Sequence, residues 1–497
     1  MKKNYLITAF VLSALIFSAC SKEYLETRPS NAVTEQEINS EIASIYAAID
    51  GQNKELFAFS TNGSNRADEY GQKSIDLQSD LMGNDMVVHS QGYGWYNETY
   101  QYIAWGRKTN GRQSDNAWFF YYDLIKQSNK ILAVIDGVVD ATNDDKENVK
   151  GQVLGIRAYA YYYLVNLFQQ TYKGGESKPG VPLYVTDVTE GKGRGTVQDV
   201  YNQIIADLEA AETFLDGKPR ASKNNMNVDV VRGFRARVAL IQEDWATAAA
   251  KAHLAAIDYP LMDASSYIAT NAFSSIDNPE WMWGSYIDDQ NATIYASFFS
   301  HMDVSRLDYA SLGGQKKITN EMYDLIPSTD VRKQCWVAPG TGSDPYFDYT
   351  QVKHQLPDPS SWAADYLYMR ASEMYLIEAE ALARQGQDAP ARVVLESMLV
   401  TTGRDPNYSA SAFSGQDLIV EILNQRRIEL WGEGFSLIDI KRLGQGLNRL
   451  SGPENHGAPN YNPIVYTTSP LEPRFLMRIP QRELDANSSM TANDQNP

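Results

Sequence analysis

Two stretches concentrate residues able to bind a polar, uncharged ligand. Between Gly92 and Arg107 stand Tyr93, Trp95, Tyr96, Asn97, Tyr100, Trp105 and Arg107; between Trp281 and Tyr295 stand Tyr286, Asp288, Asp289 and Asn291. An aromatic ring offers an apolar face to the C–H side of a sugar, while amide, carboxylate and guanidinium groups fix its hydroxyls. Both stretches lack helical period, and binding residues concentrate in such connecting segments. The competing reading of the first stretch is a hydrophobic flap over a scaffold. In the second, Glu280-Trp281-Met282-Trp283 alternates as a strand does, which sends one of the two indoles to the core and leaves Tyr286, Asp288 and Asn291 presented.

Reactive constellations are missing. The five histidines, His89, His253, His301, His354 and His456, lie too far from one another and from cysteine to give the short ligand spacing of a zinc site. No HExxH, GxSxG or P-loop pattern occurs, and Gly340-Thr341-Gly342 reads as a turn because no Lys-Ser/Thr or helix start follows it. The acidic run Asp140 to Glu147 lacks the central Gly and distal Glu of a calcium loop and reads as a solvated helix start. A glycoside hydrolase needs two carboxylates across a cleft, and no local pattern points to such a pair. The expectation is therefore a binding protein that is not an enzyme, with no cofactor and no metal. The charged block Arg426 to Glu433, with Asp439 and Arg442, reads as ion pairs fixing the last helix.

Composition narrows the partners. The formal net charge is -18 and the pI about 4.8, so phosphate backbones are repelled and nucleic acid is not expected as a partner. Tyrosine is abundant at 31 residues, and most of these rings must serve the core. Lys2 and Lys3, the apolar run Tyr5 to Phe17 and the small residues Ser18 and Ala19 before Cys20 form a secretory signal peptide over residues 1–19. A cysteine at that place is similar to a bacterial lipobox, so Cys20 is expected to carry lipid and tether the chain to a membrane. Cys335 is then left without an intrachain partner, which makes it a buried thiol and excludes a disulfide framework.

The segments that must position the binding stretches are mostly helical. A capping box at Thr34 and Glu37 opens a helix along Ile38, Ile42, Ile45 and Ile49, with Gly51 as its stop. Helices are expected over Asn116–Asp136 and Asn148–Phe168, then from Thr196 along Val200, Ile204 and Leu208. Two pairs follow, Val228–Ile241 with Trp245–Ala256 and Tyr366–Arg384 with Ala389–Val400, and Asp417–Trp431 is the last strong helix. The pairs resemble tetratricopeptide repeats, whose helices stack because one pair cannot bury its apolar face alone. Asn53–Arg112, Pro260–Gln315, Ser328–Ser361 and Gly444–Pro497 show no helical period.

These segments, taken in order, carry a family resemblance. Cys20 to Pro29, Arg157 to Phe168, Pro179 to Leu183, Val200 to Leu208, Glu378-Ala379-Glu380-Ala381, the Arg426 to Glu433 block and Ile479 to Asn487 resemble the SusD/RagB family of Bacteroidetes nutrient-binding lipoproteins. Phe435-Ser436 departs from the aromatic-Arg or His-Arg step common in the family. The resemblance implies a mainly α fold: a tetratricopeptide-like helical-pair scaffold with long irregular loops and minor β structure. It splits the mature chain into an N-terminal region, 20–225, and a C-terminal region, 226–497, intertwined in one globular unit. It also implies capture of oligosaccharide at the outer membrane, on the cell surface, for a SusC-like TonB-dependent transporter. A peptide ligand is the first alternative and a surface glycoside hydrolase the second.

Overall fold

The structure, a computed structural model, describes residues 41–59, 65–102, 111–457 and 465–497. Cys20, Thr34, Trp105 and Arg107 lie outside the described residues. The first described helix, α1 (Ile42–Glu55), buries Ile45 and Ile49. Gly51 does not end it, contrary to expectation: the residue sits inside the helix with nothing near its Cβ position, and the helix runs on to Glu55, where the carbonyl of the capping Leu56 accepts the Gln72 N–H at 2.8 Å. Helix α2 (Gln72–Leu81) is buried all round. Seven of its ten residues are polar and yet buried, with only Ile75, Leu77 and Leu81 apolar, so no apolar stripe marks it within Asn53–Arg112. Strand β1 (Met86–Val88) follows.

Helices α3 (Arg112–Val134) and α4 (Asn143–Phe168) form an antiparallel pair. The acidic run before α4 is a helix start, as expected: Thr142 and Asp145 form a reciprocal capping box. After the paired strands β2 (Pro179–Pro182) and β3 (Arg194–Thr196), Thr196 and Asp199 cap α5 (Val197–Leu215) in the same way. Then come α6 (Val228–Gln242) and α7 (Trp245–Ala256), joined by a two-residue turn in which Glu243 takes φ 60° and Asp244 accepts the Thr247 N–H. Strand β4 (Trp281–Ser285) and strand β5 (Lys316–Ile318) lie in a long insertion between α7 and α8. Strand β6 (Tyr366–Arg370) leads into α8 (Ala371–Arg384), α9 (Asp388–Glu396), α10 (Gly415–Glu429), α11 (Ser436–Arg442) and α12 (Gln481–Ala486).

Helices packed in sequence order build the scaffold: α3 on α4, α4 on α5, α5 on α6, α6 on α7, α7 on α8, and α8 on both α9 and α10. This is the tetratricopeptide manner of stacking; the main apolar core extends from Leu56 to Met490, a second cluster lies between α8, α9 and α10, and a third where α1 meets α3 and α4. Two departures from the sequence reading share a cause. Tyr366–Arg370 is a strand and not the first turn of a helix, because it pairs antiparallel with β4. That pairing contains register irregularities at Trp281, Trp283 and Gly284, so both indoles are fully buried where strict alternation would bury one. The Ala389–Val400 helix changes at Ser397 into a π turn.

The Arg426–Glu433 block is structural. Glu429 accepts from Arg332 (3.0 Å), Arg370 (2.6 Å) and Arg404 (3.0 Å), and Glu433 accepts from Arg370 and Lys353. Glu280 binds Arg370 and Arg404, and Asp330 binds Arg332. Four cations thus face four carboxylates in a buried, charge-balanced network that joins the insertion to α8 and α10. Arg426 points elsewhere, to Asp439, which also holds Arg442.

Candidate functional site

The two predicted aromatic stretches meet on one face, through a residue that neither contains. The loop after β1 turns at Gly92 and Gly94, both at positive φ, and then at Tyr96 with φ 61°. It is fastened to the segment 310–314, where the Ser90 hydroxyl donates to the Gly313 carbonyl at 2.6 Å. A Cβ on Gly92 would crowd the Gly314 backbone, so the close approach requires glycine there. The loop leaves Tyr93 67% exposed and Trp95 half-buried. The Arg66 guanidinium lies 5.0 Å from the centre of the Trp95 ring, held there by two 2.7 Å hydrogen bonds to Asp68.

Tyr309 joins the rings. Tyr93 meets it edge-on at 5.3 Å, Trp95 edge-on at 5.6 Å, and Tyr295 lies tilted against it at 6.0 Å. Tyr295, 54% exposed, meets Trp362 edge-on at 5.3 Å, and Trp362 carries the Arg306 guanidinium over its ring at 3.8 Å. Arg306 is oriented by its own hydrogen bonds to the Pro359 and Ser361 carbonyls, both 3.0 Å. The result is a ribbon of five aromatic side chains, Tyr93, Trp95, Tyr309, Tyr295 and Trp362, flanked by two stacked arginines. Leu307 beside it is 78% exposed. Edge-to-face pairs of this kind fix ring orientation and leave faces available to a ligand.

The remaining expected site residues take supporting places. Tyr96 is buried; its hydroxyl donates to Tyr70 at 2.6 Å and its ring meets His301. Tyr100 is buried with its hydroxyl 2.8 Å from Nδ1 of His456. Asn97 begins the short helix Asn97–Tyr100. Asp288 and Asn291 bond one another: the Asp288 N–H donates to Oδ1 of Asn291, and Oδ1 of Asp288 accepts the Asn291 N–H. They shape the turn that precedes Tyr295. Tyr286 is exposed but makes no ring contact with the ribbon. Asp289 accepts from the Ser361 hydroxyl at 2.5 Å and so ties the Tyr295 segment to the Trp362 segment. Sequence reasoning missed Tyr309, Trp362, Arg66 and Arg306. The signal for Tyr309 was available, an aromatic residue beside an exposed leucine in a stretch without helical period.

Beneath the ribbon lies a titratable layer. His301 stacks on Tyr309 at 5.1 Å and on Tyr70 at 5.6 Å, and its Nε2 donates to the Ala67 carbonyl at 2.9 Å. Burial lowers its pKa to about 3, so the ring is neutral. Asp308 is buried, with Oδ2 lacking a protein partner, and burial pushes its carboxyl up to about 8. Lys316 donates to the His301 carbonyl at 3.1 Å and to Gly314, and burial pulls its ammonium down to about 7. Among the described residues no group of three or more His, Cys, Asp or Glu side chains is placed to hold a metal ion, and no helix is long and apolar enough to cross a membrane.

The helices pack as stacked pairs and carry the aromatic ribbon on their connecting loops, and comparison with known proteins gives the family. Residues 23–240 match a SusD-like profile described as starch-binding associating with outer membrane, and residues 327–497 match the SusD/RagB profile of the SusD family. The chain belongs to the SusD/RagB family. It is 23% identical to SusD-like protein P2 of Formosa agariphila over 99% of each chain. It is similar to the crystal structure of a SusD-like carbohydrate binding protein from Bacteroides vulgatus, at 26% identity and a TM-score of 0.80, covering 92% of this chain and 98% of that one. Surface glycan-binding protein A of Bacteroides thetaiotaomicron, solved in complex with laminarihexaose, shares the fold at 17% identity and a TM-score of 0.68, covering 91% of this chain and 99% of that one.

Proposed function

We propose that this chain is a lipid-anchored protein of the cell surface that captures oligosaccharide on the Tyr93–Trp362 ribbon and delivers it, uncleaved, to a SusC-like TonB-dependent transporter. The observation that carries the reading is the convergence of Tyr93, Trp95 and Tyr295 on Tyr309, which turns separate loops into one run of ring surfaces. Sugar rings present alternating C–H faces and hydroxyl edges, and stacking on such a run suits a chain of them. A peptide ligand would call for backbone-facing polar groups, whereas the polar side chains here, Asp288, Asn291 and Asp289, are engaged within the loops.

A neutral glycan fits better than an acidic one. The arginine beside Trp95 is neutralised by Asp68, and the carbonyl-held Arg306 over Trp362 is outnumbered by Asp288, Asp289 and Asp358 in the same loops. Support for the glycan class also comes from the family profile, from the carbohydrate-binding relative in Bacteroides vulgatus and from the laminarihexaose complex of the glycan-binding protein. Acylation of Cys20 supplies the anchor in this reading, since burying one acyl chain alone gives only marginal attachment and two or more give a stable one.

Isothermal titration calorimetry of the fragment Ser21–Pro497 against neutral plant, host and microbial oligosaccharides, and against short peptides, tests this, with the samples checked afterwards for cleavage. Saturable heat with one glycan class and intact ligand is the expected result. Product formation would overturn the non-catalytic reading, and heat with peptides alone would move the chain to the peptide-binding alternative.

A further inference from the structure

A second cleft, of about 560 Å³, opens between α3 and the segment that follows β2, and shares no residue with the ribbon. Its walls are aromatic. Tyr122 of α3 meets Tyr184 edge-on at 5.7 Å, and Phe119 lies one turn earlier on the helix. Trp118 closes the floor, 4.8 Å from Tyr122, and its indole N–H donates to Glu483 at 3.3 Å. The tyrosine hydroxyls are anchored away from the opening: Tyr122 donates to the Pro182 carbonyl at 2.9 Å, and the Tyr184 oxygen accepts the Lys192 N–H at 3.0 Å. The rings are therefore held in place before any ligand arrives.

The lips carry unused polar groups. Asp123 and Lys126 on α3 and Glu190 across the cleft are exposed, line the opening, and make no hydrogen bond or ion pair with any described residue. These three, with the exposed Lys130 and Asp187, set ammonium and carboxylate groups around an aromatic pocket. Cations and carboxylates alternate here, with Lys192 5.7 Å from the centre of the Tyr184 ring and Arg482 3.6 Å from that of Phe119, so the surface has no strong excess of either charge, and among the described residues it offers no cluster of ligands for a metal. A small polar molecule with apolar faces and several hydroxyls matches it: the rings take the faces and the lip groups take the hydroxyls. A cleft of this volume lies within the range of small-ligand sites.

We propose that this cleft is a second, independent site for a short neutral oligosaccharide. The inference rests on the glycan-binding reading of the chain and adds a site that holds ligand apart from the ribbon.

The test uses the fragment Ser21–Pro497 with laminarihexaose, cellohexaose, xylohexaose and mannohexaose as probes, followed by calorimetry and saturation-transfer NMR. Two further proteins are compared with it: a ribbon variant, Trp95→Ala with Tyr295→Ala, and that variant carrying Asp123→Ala, Lys126→Ala and Glu190→Ala as well. The three added changes are at exposed positions, and circular dichroism checks the fold. Expected are two equivalents bound by the parent, one by the ribbon variant, and at least a tenfold weakening of that remaining equivalent in the combined variant. One equivalent in the parent and none in the ribbon variant would overturn the second site while leaving the ribbon intact, as would residual binding indifferent to the three lip substitutions. A parent that binds none of the four probes would overturn the glycan reading for this set, and the cleft proposal with it.

Discussion

Tyr309 stacks on His301 with ring centres 5.1 Å apart and planes 21° from parallel, so a surface aromatic rests on a buried imidazole that is itself stacked on Tyr70. The pile gives the ribbon a rigid base. Tyr309→Ala removes the ring that Tyr93, Trp95 and Tyr295 share, and is expected to weaken glycan binding about 30-fold, the loss of about 2 kcal/mol typical of a central aromatic anchor. Tyr309→Phe keeps every ring contact and should stay within a few-fold of the parent in calorimetry. Equal losses for both would assign the role to the hydroxyl.

Trp95→Ala should remove most of the affinity with little change in melting temperature, since the indole is half-buried and its neighbour Arg66 keeps Asp68 as a partner. Tyr96→Ala is the contrasting substitution. It cavitates the core beneath the loop and should cost about 3–5 kcal/mol of stability, read from urea unfolding.

The layer under the ribbon has a pH signature. The Asp308 carboxyl is raised to about 8 in the fold, against about 3.9 in an unfolded chain, so the native state binds the extra proton and stability falls as pH rises between those values. Lys316 is lowered to about 7 against about 10.4, so the unfolded chain binds the extra proton and stability rises with pH across that second window. Asp308→Asn should flatten the fall below about pH 8 and leave the rise above it. Urea midpoints collected from pH 5 to pH 10 would report both slopes, and an unchanged fall in the variant would exonerate Asp308.

Removing one member of the buried charge network should be severe. Glu429→Ala strands Arg332, Arg370 and Arg404 without their common acceptor, and breaking a buried pair in this way costs about 3–5 kcal/mol. Arg427→Ala, whose half-exposed side chain pairs with Asp85, should cost about 1 kcal/mol or less. Similar losses for the two would show that the network is not a unit.

Cys335 is buried and its thiol is pushed up to about 12 by desolvation. In the Ser21–Pro497 fragment it should resist Ellman's reagent until denaturant is added. Prompt labelling of the native protein would mean that the insertion opens readily.

Much of the scaffold was legible in the sequence because helices such as Val197–Leu215 have one wet face, and because conventional caps, Thr142 with Asp145 and Thr196 with Asp199, mark where helices start, even for Asn143–Phe168, which is buried on all sides beyond Gly151. The parts that were not legible are those without that contrast. Gln72–Leu81 is buried on every side, and Tyr366–Arg370 owes its extended form to a partner strand over 80 residues away. The site divides similarly. Tyr93, Trp95 and the Tyr295 segment stood out as aromatics among polar residues in irregular chain, but Tyr309 and Trp362 matter through distances that only the fold creates. Tyr96 and Tyr100 looked the same as Tyr93 in sequence. The positive φ of Tyr96 turns its ring inward, and the Tyr100 ring stacks on His456 in the interior.

Helix α7 ends at Ala256 and α8 begins at Ala371, yet the two pack directly against each other. The whole insertion therefore leaves the scaffold and returns to it at adjoining points, a closed excursion carrying Tyr295, Tyr309 and Trp362. Lengthening a flexible excursion of this sort adds only about 0.6 kcal/mol per doubling. Residues between these two fixed ends, Tyr295, Tyr309 and Trp362 among them, can therefore change without altering the packing of α7 on α8.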